Sequence, residues 1–325
     1  MRSHDVSWQV DGIAVHGTVG LPDGPGPFPG VVLVAGSGPT DRDWNSPLLP
    51  GSNGSGRLLA EALAAAGFAT VRYDKRASGP HVREVMPVLI GRMSMRSHLD
   101  ELDGAVAALA GRPEVDATRM VGLGNSEGTL HLMNRALART VPRFAGLVLT
   151  GAPGRSVGAV ARTQIGAQVA GLADGEAILR AYDEAVARFR DGEPARPDPA
   201  LPEGIRTLVE SLETPANLLF ARELWSADGA ALLAGLDLPV LVVIGGKDVQ
   251  VDPVLDGGPL ERAAVGRDVR FAYPADADHV LKHENASRAD LVPGVVAGAY
   301  NAEGRELDAE AVASIVGWLR ERLAK

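Results

Sequence analysis

The period of apolar positions changes several times along the chain, and each change marks an element. Val6, Trp8 and Val10, then Ile13, Val15 and Gly17-Thr18-Val19, alternate with polar residues on either side of Asp11-Gly12. That pattern predicts two antiparallel strands joined by a two-residue turn. A Pro/Gly loop over residues 22–29 leads into a continuous apolar run at 30–34, the mark of a strand buried on both faces. Strand-like runs at 68–73, 119–124 and 146–150 then alternate with helical stretches at 56–66, 98–109 and 128–137. Strands are predicted again at 239–244 and 268–273, with a last helix at 308–323. Strand–helix alternation of this kind predicts an α/β fold, a mostly parallel sheet flanked by helices.

Residues 155–237 break the alternation. They show no strand pattern, only helical stretches at 175–189, 204–213 and 218–225 and a Pro-rich loop at 192–202. The domain reading is therefore a core of residues 1–154 and 238–325 with a helical cap inserted at 155–237. Open α/β sheets keep their sites at the carboxyl ends of the strands, where such an insertion would sit. The apolar stretch holding Leu219, Phe220 and Trp225 is a candidate wall of the substrate pocket, its alternative being the cap's own core.

Composition narrows the function. Acidic residues outnumber basic ones, 41 to 32, for a net charge of −9. A nucleic-acid partner, which needs a basic face, is not expected. With Cys 0, disulfide frameworks, Cys-ligated metal and thiol chemistry are excluded. The start of the chain shows no apolar leader, and no run approaches the ~20 residues of a membrane span, so a cytoplasmic protein is expected.

The sharpest local signal is Gly124-Asn125-Ser126-Glu127-Gly128, between an apolar strand and a helix. A turn this tight lifts the central side chain above the sheet edge, and its flanking glycines leave no Cβ to collide with nearby backbone. Ser126 then lies at a helix N-terminus, where developing negative charge is favoured. A dinucleotide fingerprint would need its third glycine where Glu127 stands.

A serine nucleophile needs a base and a carboxylate to orient it, and in this strand–turn–helix setting they follow in the order Ser, Asp or Glu, His. Of the seven histidines only His279 and His283 follow the last predicted strand. Asp248 lies just past the strand at 239–244, with Asp252, Asp276 and Asp278 as rival acids. His279 and His283 are four residues apart, but Val280 stands where a metalloprotease motif has its glutamate, so no metal is expected. Acyl transfer also needs two N–H donors aimed at one oxyanion. One is expected from Glu127, the other from the glycine-dense loop Ala35-Gly36-Ser37-Gly38-Pro39.

These features resemble those of the α/β-hydrolases of the serine-esterase type. Residues 36–43 (GSGPTDRD), 72–76 (RYDKR), 124–128 (GNSEG) and 278–282 (DHVLK) are similar to motifs of the dienelactone-hydrolase-like bacterial carboxylesterases, over about residues 6–154 and 238–323. The resemblance implies Ser126 as nucleophile, Asp248 as acid, His279 as base, and the Ser37 and Glu127 amides as oxyanion donors. It implies a small-molecule ester substrate and no cofactor. The chain departs from the family at Ala35, where a histidine is usual, and at Ala77-Ser78-Gly79, where Gly-x-Gly is usual. Asp41, Arg42, Asp43 and Arg76 read as a charge network bracing the loops. Thioesterase, lactonase and acyltransferase chemistry fit the same residues, and a non-catalytic binding protein on this scaffold is the alternative of another class.

Overall fold

The computed structural model describes every residue except Leu49, 292–295, 297, 298 and Lys325. Strands β1 (Arg2–Val10) and β2 (Ile13–Leu21) form the expected hairpin. Asp11 and Gly12 both take positive φ, 51° and 76°, as a two-residue turn that follows the strand twist requires. Next come β3 (Phe28–Val34), β4 (Ala69–Tyr73), β5 (Val115–Asn125), β6 (Gly146–Thr150), β7 (Val240–Val243) and β8 (Val269–Ala272). They pair in the order β1-β2-β4-β3-β5-β6-β7-β8. Only β1 and β2 run antiparallel to their neighbours; from β4 to β8 every pairing is parallel. Six strands therefore deliver their carboxyl ends to one edge.

The central strands bury both faces. Val31 and Leu33 join Leu59, Leu63, Ile315 and Trp318 in one core, from α1 (Ser55–Ala65) and the C-terminal helix. Val32 and Val34 join Leu102, Val106, Leu130 and Met133 in the other, from α3 (Met95–Ala110) and α4 (Glu127–Leu137). The period-2 alternation of a strand thus feeds two helix layers. The short helix α2 (Val82–Leu89) was not expected, because Pro87 interrupts its pattern and several of its apolar side chains stay exposed.

Between β6 and β7 lie five helices: α5 (Val157–Val169), α6 (Gly175–Arg190), α7 (Glu203–Leu212), α8 (Leu218–Ser226) and α9 (Gly229–Ala234). They surround a core of their own, built on Ile165, Tyr182, Phe189 and Val209. Helix α5 escaped the sequence reading because its apolar residues are spread round the helix instead of forming one stripe. The insertion is pinched at its neck, where Ser156 bridges Asp228 and Val157 N donates to Ala227 O at 3.3 Å. Two further helices among the described residues are α10 (Gly257–Ala263) and α11 (Ala309–Arg322). Among the described residues no helix is long and apolar enough to cross a membrane.

Candidate active site

Ser126 caps α4 in a backbone conformation that side chains rarely adopt, with φ 52° and ψ −121°. What holds it there is close packing. A Cβ on Gly124 would fall 2.7 Å from the Gly128 carbonyl carbon, and one on Gly128 would fall 2.5 Å from Val34 O. Strand β5, the elbow and the end of β3 therefore touch backbone to backbone, and Ser126 is lifted over the sheet edge. The elbow is tied down by Ser126 N donating to Thr150 O at 2.9 Å and by the Thr129 hydroxyl donating to Ser126 O at 2.6 Å.

Asp248 and His279 meet beside it. His279 Nδ1 lies 2.7 Å from Asp248 Oδ2, and both side chains are buried. The other carboxylate oxygen, Oδ1, accepts from the amides of Gln250 (2.8 Å) and Val251 (2.9 Å), which fixes the plane of the acid. Burial pushes the His279 imidazole down, but the Asp248 carboxylate outweighs it, and the net shift is upward. Asn125, the residue before the elbow serine, donates from its side chain to His279 O at 2.9 Å, so the histidine loop is moored to the elbow.

The rival acids are engaged elsewhere. Asp252 pairs with Arg288 at 2.7 Å, Asp276 faces Lys247 at 3.6 Å, and Asp278 pairs with Arg305 at 2.8 Å. Asp278 also accepts from the amides of Val280 and Lys282, which shapes the loop that carries His279. His283 is turned to Asp308 at 3.1 Å. Among the described residues no group of three or more His, Cys, Asp or Glu side chains is placed to hold a metal ion.

The loop after β3 runs directly in front of the elbow: a Cβ on Gly36 would lie 3.3 Å from Ser126 Cβ. Among the described residues neither the Ser37 amide nor the Glu127 amide donates a hydrogen bond. The second is one of the free N–H groups that every helix start leaves over. Behind them sits Lys75, only 3% exposed, whose ammonium donates to Gly36 O at 2.7 Å and to Glu127 Oε1 at 2.6 Å. Burial raises the Glu127 carboxyl, yet Lys75 and the His131 imidazole at 3.0 Å hold it well below the usual carboxylate range. Burial pushes His131 down to about 4.

The flanking charges bind loop to loop. Arg42 grips both oxygens of Asp74, at 3.1 and 2.7 Å, and Arg72 donates to Asp43 at 2.8 Å. Asp41 accepts from the amides of Asp43 and Asn45, and Arg76 pairs with the buried Glu101.

Ser37, Ser126 and Glu127 open into a cavity of about 250 Å³. Its far wall comes from the helical insertion, through Val157, Val160, Leu208 and Trp225. Of the three insertion residues singled out from sequence, only Trp225 reaches it. Leu219 is 53% exposed and lies outside, and Phe220 packs instead against the His98 ring, 4.6 Å between centroids. The helical period of α8 sends neighbouring residues to different sides, which an apolar run by itself does not reveal.

Sequence reasoning passed over Lys75 and Asn125. Both stood inside quoted motifs, and Lys75 is one of only four lysines, but their partners are 25 to 154 residues away.

No family model matches the chain. It is 29% identical over 249 residues to Esterase EstD of Thermotoga maritima, an alignment covering 75% of this chain and 53% of that esterase. The chain thus spans about half the length of the curated relative it matches. Among solved structures it superposes on 2,6-dihydroxy-pseudo-oxynicotine hydrolase with a TM-score of 0.58 at 15% identity, over 99% of this chain and 68% of that one. A lipase in its open form superposes with a TM-score of 0.57 at 17% identity, over 100% of both chains. The fold is that of the α/β-hydrolases.

Proposed function

We propose that this chain, an α/β-hydrolase by fold, cleaves small-molecule carboxylic esters through a serine-bound acyl intermediate. The observation that carries the reading is the buried Asp248–His279 pair, 2.7 Å apart, on the same sheet edge as the strained Ser126. The similarity to an esterase supports the substrate class. Asp248 holds the Nδ1–H tautomer of His279, leaving Nε2 free to accept the Ser126 proton. Ser126 Oγ adds to the ester carbonyl, and the oxyanion that forms is met by the Ser37 and Glu127 amides. His279 then gives its proton to the leaving alcohol as the carbon–oxygen bond breaks. Water enters and adds to the acyl carbonyl as His279 takes its proton; the Ser126 Oγ–acyl bond then breaks, His279 returns the proton to Ser126 Oγ, and the acid leaves. Every proton in the cycle passes through one imidazole.

In this reading residues 1–154 and 238–325 are the catalytic core, and 155–237 are a cap supplying the apolar wall opposite the oxyanion donors. The test is fluorophosphonate labelling with peptide mapping, beside turnover of p-nitrophenyl esters, acyl-CoAs and lactones. Ser126 is expected to take the label and p-nitrophenyl esters to turn over. Labelling that persists in Ser126→Ala, or a wild type inert to the probe and to every ester, would refute the assignment.

A further inference from the structure

We propose that Lys75 is the positioning residue of the oxyanion hole, a single buried ammonium that aims both of its backbone donors. The inference rests on the functional reading above, which supplies the donors' role. A peptide unit is planar and trans, so its C=O and N–H point in opposite directions. Lys75 Nζ binds Gly36 O at 2.7 Å, and Gly36 O belongs to the same peptide unit as the Ser37 N–H. Fixing that carbonyl toward Lys75 turns the Ser37 N–H away from it, to the side where Ser37 and Ser126 line the shared cavity.

The second bond works from the other half of the hole. Lys75 Nζ holds Glu127 Oε1 at 2.6 Å, drawing the Glu127 side chain behind α4 while its amide stays at the helix start facing forward. Lys75 is itself held in place: its amide donates to Thr40 O, and the Ser78 hydroxyl accepts nothing from it but donates to Lys75 O at 2.6 Å. A compact ammonium with several donors suits two acceptors converging from different loops.

The competing account makes Lys75 a counter-ion for Glu127 and nothing more. A buried ion pair gives a fold little net stability, since desolvation offsets the attraction. The two accounts diverge once Glu127 is neutral. If neutralisation were the whole role, Lys75 beside a neutral partner would be a stranded charge, and removing it would help. If Lys75 aims Gly36 O, removing it must still loosen the Ser37 donor.

The experiment compares wild type, E127Q and the double variant E127Q/K75M, with folding checked by circular dichroism and thermal melts. Readouts are kcat and KM on p-nitrophenyl acetate and the affinity of a boronic acid, whose adduct with serine carries a tetrahedral oxyanion-like oxygen. Relative to E127Q, the double variant is expected to lose about 10- to 100-fold in kcat, less than the 10²–10³ of a deleted donor. KM should stay within about twofold and boronate affinity should fall with kcat, the signature of an interaction made in the transition state. A double variant equal to or faster than E127Q overturns the inference. If E127Q does not fold, the double variant is read against wild type, and kcat within about threefold overturns it equally. An active, labelled wild type with an undiminished double variant sinks this inference alone, whereas an inert wild type removes the functional reading and the inference together.

Discussion

Asp248→Asn changes one atom and should nearly silence the site, for a reason visible in the geometry. Asp248 Oδ1 accepts from two backbone amides, Gln250 N and Val251 N. In the variant the remaining oxygen must keep that position, because an NH2 group there would face two donors. The amide nitrogen is then forced into the place of Oδ2, 2.7 Å from His279 Nδ1, and donates to it. His279 must accept at Nδ1 and so carry its proton on Nε2, where it cannot take the Ser126 proton. An inverted tautomer in a serine triad lowers kcat by about 10⁴, and at 1.36 kcal/mol per tenfold that is about 5 kcal/mol. Asp248→Ala leaves the tautomer free but removes the carboxylate that orients it, and should likewise cost about 10⁴ in kcat. The pH profile gives a second reading. The proposed cycle needs neutral His279, whose pKa lies above the usual 6.5, so activity should fall as pH drops through that raised value. Without the Asp248 carboxylate, burial is opposed only by the weaker pull of Asp278 and Asp256, and the acid limb of kcat/KM should move to lower pH. The assay is p-nitrophenyl acetate hydrolysis from pH 5 to 9 on folded protein. The reasoning fails if Asp248→Asn keeps a tenth of wild-type kcat, or if Asp252→Asn, whose carboxylate is engaged by Arg288, is the more damaging change.

Three further outcomes follow from the same geometry. Ser126→Gly should abolish turnover yet raise thermal stability by about 1 kcal/mol, because only glycine adopts φ 52°, ψ −121° without strain; a melting temperature below wild type counts against the strained elbow. Ser37→Ala should keep activity within about tenfold, whereas Ser37→Pro deletes the amide donor and should cost about 10²–10³ in kcat. Equal loss in both, with fold and probe access retained, would move the role to the hydroxyl. Trp225→Ala enlarges the cavity wall and should raise kcat/KM for long acyl chains relative to acetate; a uniform fall across chain lengths would assign Trp225 to packing alone.

The reach of the sequence is clearest at the elbow. Ser126 was legible because the glycines at 124 and 128, the strand before it and the helix after it are neighbours in the chain, although the backbone of Val34 and Ala35 that makes Gly128 necessary comes from the distant β3. The hairpin turn at Asp11-Gly12 and the buried run that became β3 were legible for the same reason. The acid was different: Asp248, Asp252, Asp276 and Asp278 are alike in sequence, and only the Nδ1–Oδ2 contact of 2.7 Å distinguishes the first. The helical insertion shows the same divide, for an apolar run announced α8 but could not say that Trp225 faces the cavity while Phe220 packs on His98 and Leu219 meets solvent. By itself the sequence determined the α/β alternation and the strand–turn–helix elbow, because periodicity and turn chemistry act over a few residues. Which carboxylate holds the histidine, and that Lys75 joins Gly36 to Glu127 across 39 and 52 residues, was decided by the sheet order alone, since parallel strands bring distant segments to one edge.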